Sequence, residues 1–123
     1  MTDPDIKERL TIAIKSMLDK KAVNVMILDV SKSSSFTDYI VTCSGSSDTH
    51  VKAVAGSIDQ SLKKERILPL GIEGFSVGQW VLMDYGDIVI NIFYEPVRDF
   101  YDLEGLWSEV PRFEASEPFN FPF

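Results

Sequence analysis

The segment Gln79–Tyr94, QWVLMDYGDIVINIFY, decides how this chain folds. Two short runs rich in Val, Ile and aromatic residues, Gln79 to Asp84 and Ile88 to Tyr94, flank a tight reversal at Tyr85-Gly86, which predicts a β-hairpin. Side chains alternate across a strand, so Trp80, Leu82 and Asp84 share one face while Val81, Met83 and Tyr85 share the other. One face must be core. Trp80 is therefore either a buried core aromatic or an exposed anchor set beside carboxylates, and the pattern by itself leaves both open.

On the N-terminal side of the hairpin lie a short apolar piece, Ile67 to Leu70, and a Gly-rich turn through Gly71-Ile72-Glu73-Gly74. Before these, Val51, Val54, Ala55, Ile58 and Leu62 trace the buried stripe of a helix that Ser47 or Asp48 can cap. Lys63, Lys64 and Arg66 complement the negative end of that helix, which explains the basic cluster without invoking nucleic acid. Further upstream, Val25–Val30 and Asp38–Cys43 read as a strand pair joined by the polar segment Ser31 to Thr37. Ile6, Leu10, Ala13, Ile14, Met17 and Leu18 give an amphipathic first helix. Beyond Pro96 one or two short helical turns are expected through Leu103 and Trp107, and the tail EASEPFNFPF, with Pro118 and Pro122, is expected to join no regular element. The order α, β, β, α, β, β, β, α predicts a single α/β domain over residues 1–110, a mixed β-sheet with helices packed on it, followed by a tail over residues 111–123.

The bulk numbers narrow the classes of function. A chain of 123 residues is long enough for one real core, and no window approaches the ~20 consecutive apolar residues of a membrane span. The N-terminus MTDPDIKERL lacks the features of a secretory or transit peptide, so a cytosolic location is expected. Cys43 is the only cysteine and sits in an apolar strand, where an inert buried thiol is expected. Residues 1–83 hold ten acidic and ten basic side chains, while residues 84–123 hold nine acids against only Arg98 and Arg112. The net charge of −7 thus lies in the last third, which disfavours unaided nucleic-acid binding and suits a basic protein partner.

Catalytic constellations are hard to assemble. His50 is the only histidine, and its place in the first turn of the second helix fits a neutral side chain holding the strand-to-helix turn. Ser44-Gly45-Ser46-Ser47 is similar to the Gly-Ser step of nucleotidyltransferases, in which a following D-x-D pair binds metal and nucleotide. That pair is missing, because Asp59 is followed at i+2 by Ser61. A divergent nucleotidyltransferase using Ser46, Asp84, Asp87 and Mg²⁺ is the competing enzyme reading, and a self-associating scaffold is a third. No catalytic residue, metal or cofactor is predicted. The remaining signal is the aromatic and acidic set from Trp80 to Trp107, with the mix expected of an interface for a partner bearing Arg and Lys.

Asp29-Val30, Phe36 with Asp38-Tyr39, the Ser-Gly-Ser-Ser segment with His50, Glu73-Gly74, the string Trp80-Val81-Leu82-Met83-Asp84-Tyr85-Gly86-Asp87 and the run from Arg98 to Trp107 together resemble the ribosomal silencing factor, or Iojap, family. The resemblance covers nearly the whole chain in order. It implies a nucleotidyltransferase-like α/β fold without an active site. It also implies a translational repressor that binds the large ribosomal subunit through the basic large-subunit ribosomal protein numbered fourteen, at the subunit-joining face, and sterically blocks the small subunit. Family members are often homodimers when free. Trp80, Leu82, Asp84, Tyr85, Arg98, Asp99, Tyr101 and Asp102 are the expected partner-binding residues. The chain departs from the family in carrying Asn91 where a histidine is usual, and Phe119, Phe121 and Phe123 lie outside the family's motifs.

Overall fold

A computed structural model describes residues 5–116 and 119. Its elements run α1 (Ile6–Asp19), β1 (Val23–Asp29), β2 (Tyr39–Gly45), α2 (Asp48–Lys64), β3 (Gly71–Glu73), β4 (Trp80–Asp84), β5 (Ile88–Tyr94), α3 (Glu95–Tyr101), α4 (Leu103–Leu106) and β6 (Arg112–Ala115). The six strands form one sheet in the order β3-β4-β5-β2-β1-β6. Only the central β2–β5 pair is parallel, so the sheet is mixed, as expected of the single α/β domain.

Helices α1 and α2 cover the first face. Leu10, Ala13, Ile14 and Met17 of α1, together with Val51, Val54, Ala55, Ile58 and Leu62 of α2, pack on Val25 and Ile27, Val41 and Cys43, Val81 and Met83, and Ile88, Ile90 and Ile92. The alternate residues turn to the second face, where Leu28, Val30 and Ile40 meet Leu103, Trp107 and Val110 in a smaller cluster. Helix α3 starts directly at the end of β5, and Pro96 in its first turn fits the fixed proline φ. The chain is thereby turned back over β5 and β2.

Both long helices start and stop by the same devices. Asp5 accepts the Glu8 N–H at 2.8 Å at the start of α1, and Ser47 accepts the His50 N–H at 3.0 Å at the start of α2. At the other end, Lys21 donates to the Leu18 carbonyl and Ala22 to that of Met17; Arg66 donates to Lys63 and Ile67 to Leu62. These are paired Schellman closures, and each needs a left-handed residue, here Lys21 at φ 64° and Arg66 at φ 63°. A bidentate ion pair from Arg9 to Asp87, at 2.7 and 2.5 Å, ties α1 to the β4–β5 turn.

Two readings of the sequence are corrected. Strand β3 falls on Gly71-Ile72-Glu73, which the Gly-rich pattern marks as a turn, because these residues pair with Leu82 to Asp84. The turn itself begins at Gly74, with φ +80° and its Cα against the Trp80 carbonyl, where a Cβ would collide. The second correction is β6, which pairs Arg112 to Ala115 with Leu28 to Val25, so Glu114 and Ala115 belong to the sheet and the fold continues past residue 110. Phe119 packs against the main core, whereas Pro118, Phe121, Pro122 and Phe123 lie outside the described residues.

Replacing either left-handed lysine or arginine by glycine removes a steric cost, partly offset by the greater freedom of glycine in the unfolded chain. Lys21→Gly and Arg66→Gly should each raise the unfolding free energy by about 0.5–1 kcal/mol in urea titration. Burial raises the Cys43 thiol to about 12 from an ordinary 9.0, with Arg98 a smaller opposing influence. A thiol reagent at pH 8 should leave the native protein unlabelled and label one site per chain in denaturant. Since the unfolded thiol ionises first, this group's contribution to stability is full below pH 9 and declines as the pH rises toward 12.

Candidate docking surface

Strand registers arrange the second face in rows. Trp80 lies beside Phe93, which lies beside Ser44; Leu82 beside Asn91, then Thr42, then Met26; Asp84 beside Val89, then Ile40, then Leu28. Alternation along β4 holds as expected, with Val81 and Met83 buried in the core and Trp80, Leu82 and Asp84 half-buried on this outer face. Trp80 is therefore neither pure core nor a free anchor. Its ring stacks on Phe93 with centroids 5.0 Å apart and packs against Tyr101 of α3 at 4.7 Å. Its indole N–H donates to Asn91 Oδ1 at 3.0 Å. The polar edge of the indole is thus satisfied inside the protein, by Asn91.

What reaches solvent is the next layer. Tyr101 is 50% exposed, and Phe100, edge-on to it with centroids 5.2 Å apart, is 82% exposed. Leu106 of α4 is also exposed, and Asp99 and Asp102 lie open around these side chains. Phe100 and Leu106 are absent from the expected partner-binding set. A helical signal was present for Phe100: with 3.6 residues per turn, a residue two positions beyond an inward-facing one points outward. Using it requires knowing that Arg98 faces inward.

Arg98 is that inward residue, and its expected place on the partner-binding surface is corrected. It is 8% exposed. Nε and one terminal nitrogen donate to Glu104 Oε2 at 3.0 and 2.7 Å, and that same terminal nitrogen donates to Thr42 Oγ1 at 3.0 Å. The other terminal nitrogen donates to the Asn24 carbonyl at 2.7 Å and to Ser44 Oγ at 2.9 Å. All five guanidinium N–H groups are used, as a buried arginine requires. Asn24 occupies an irregularity in β1, at φ 52°, where the register shifts between Val23 and Met26.

Tyr85 is the second correction. It shares the face of Val81 and Met83, is 8% exposed beneath the helices, and its buried hydroxyl has no hydrogen-bond partner among the described residues. Burial pushes its phenol pKa well up, with Asp59 of α2 adding to the effect. It takes no part in the outer surface.

Of the acids in this region, Glu104 is neutralised by Arg98 and Asp87 by Arg9. Asp84 accepts the Gly86 N–H at 2.8 Å in the hairpin turn. Asp102, at φ 46°, joins α3 to α4 with its carboxylate folded onto Gly105, where a side chain would collide. The enzyme constellation is not assembled. Asp84 and Asp87 lie at the Tyr39 end of the sheet, while Ser46 follows Gly45 at the other end of β2, roughly 20 Å away for a strand of this length. Among the described residues no group of three His, Cys, Asp or Glu side chains is placed to hold a metal ion. His50 does hold the strand-to-helix turn: Nδ1 accepts the Ser46 N–H at 2.9 Å, which leaves Nε2 to donate to the Lys20 carbonyl at 2.6 Å.

The family model described as "Ribosomal silencing factor during starvation" matches residues 3–120, a span that includes β6 and Phe119. The chain is 36% identical over 119 residues to the ribosomal silencing factor RsfS of Chromobacterium violaceum, covering 94% of this chain and 98% of that protein. It is 37% identical over 105 residues to RsfS of Bacillus subtilis, covering 85% and 89%. A crystal structure of a Chromobacterium violaceum protein superimposes with a TM-score of 0.83 at 34% identity, over 96% of this chain and 94% of that one. The chain belongs to the ribosomal silencing factor family.

Proposed function

We propose that this protein represses translation in the cytoplasm by docking on the large ribosomal subunit and obstructing the small one. The docking partner in this reading is the basic large-subunit ribosomal protein numbered fourteen, at the subunit-joining face. The observation that carries the reading is the exposed Phe100–Tyr101 pair, mounted on Trp80 and bordered by Asp99 and Asp102. Aromatic side chains held in place bury large area at small entropic cost, and neighbouring carboxylates favour a partner rich in Arg and Lys. No covalent chemistry enters. Obstruction needs only that the docked domain overlap the volume of the incoming subunit.

The acidic field accelerates encounter with a basic partner and repels exposed rRNA phosphate, so association should slow as salt rises while dissociation changes little. Sucrose-gradient sedimentation of purified subunits checks the main claim: added protein should cofractionate with the large subunit and reduce coupled particles. Phe100→Ala with Tyr101→Ala should weaken binding by about tenfold or more, chiefly through faster dissociation, with far-ultraviolet circular dichroism unchanged. Asp99→Lys should mainly slow association. Absence of cofractionation, or full binding by the double alanine variant, would remove this reading.

A further inference from the structure

We infer that Arg98 is a positioning residue for docking: its guanidinium sets the α3–α4 segment on the sheet so that Phe100 and Tyr101 are presented in one orientation before the partner arrives. The inference rests on the docking reading above and adds a residue that makes no contact with the partner.

Helices α3 and α4 have seven and four residues. Helices this short do not hold themselves together in water. Their apolar attachment comes from Tyr101 on Trp80 and from the partly buried Leu103 and Trp107, while the one buried side chain of α3 is Arg98. The polar attachment is extensive by contrast. One guanidinium links α3 to Glu104 in α4, to Thr42 and Ser44 in β2, and to the Asn24 carbonyl in β1. Its planar fork fixes direction as well as distance, which a lysine ammonium does not. Tyr101 lies three residues on, close to one helical turn, so locking Arg98 toward the sheet places Tyr101 over Trp80 and turns Phe100 outward. A surface ordered in advance loses less conformational freedom on binding, and the gain appears in the lifetime of the complex.

The test compares Arg98→Met, Arg98→Lys and the milder Glu104→Gln with wild type and with Phe100→Ala, by large-subunit binding kinetics, near-ultraviolet circular dichroism and amide hydrogen exchange. Expected are cooperative unfolding and retained sheet protection, loss of exchange protection confined to residues 95–107, loss of the Trp80–Tyr101 dichroism signal, and dissociation faster by about tenfold. Arg98→Lys should not rescue. If Arg98→Met fails to fold, Glu104→Gln carries the same comparison in reduced degree. Wild-type dissociation rates in a variant with a loosened segment would overturn the inference. So would lost binding with exchange and dichroism unchanged, which would make Arg98 a direct contact. Failure of wild type itself to bind would instead strike the docking reading, from which this inference follows.

Discussion

A charged group with five hydrogen-bond donors can be buried only if each donor finds an acceptor, and that requirement on Arg98 organises the outer half of this molecule. It accounts for polar residues at alternate positions of β2, a strand buried almost throughout: Val41 and Cys43 face the helices, while Thr42 and Ser44 face the guanidinium. It gives the left-handed Asn24 a purpose, because the irregularity in β1 presents a carbonyl that an ordinary ladder would have kept. The first face of the sheet is consequently an apolar interior. The second carries a polar seam along which a short helical segment is attached.

The last third of the chain stays acidic at its surface even after its ion pairs are drawn, because the Arg98–Glu104 pair cancels internally and only Asp87 is neutralised from outside it, by Arg9. Of its two arginines, Arg98 is buried, and Arg112 turns a terminal nitrogen to the Trp107 carbonyl at 2.7 Å, just after α4. Arg98 thus adds no cation to the outer face, while Arg112 is exposed and keeps its charge. Among the described residues, Asp87 and Glu104 are the acids of this segment seen in ion pairs. The balance favours a negative field around Phe100 and Tyr101.

Much of this was readable from residues alone, and the failures have specific causes. Periodicities of 3.6 and 2 located α1, α2, the first strand pair and the hairpin, because these elements bury one face and the burial leaves its mark on the sequence. β3 and β6 are edge strands with little burial, so neither carries an alternating pattern; pairing partners alone define them. At the outer surface, alternation by itself separates Tyr85 from Trp80, whereas the partner-binding set that the resemblance implies places the two together, against their burial. Arg98 was misplaced because a buried arginine looks like an exposed one until its acceptors are known. Those acceptors, at positions 24, 42, 44 and 104, are spread across most of the chain and share no local pattern.

The same spread governs when the docking face can come into being. The central strand pair joins Tyr39 to Ile88, the outermost ladder joins Val25 to Ala115, and Arg98 reaches back to Asn24. Such non-local pairings close late and slowly, after the chain has paid the entropy of large loops. During synthesis, which exposes the N-terminal part first, α1, β1, β2 and α2 emerge without the strand, the helices or the arginine that complete them. A chain halted before Glu104 lacks one acceptor of the guanidinium that attaches α3 to the sheet. On the docking reading, a protein of this topology presents its partner-facing surface only when it is nearly whole, a timing that follows from strand order.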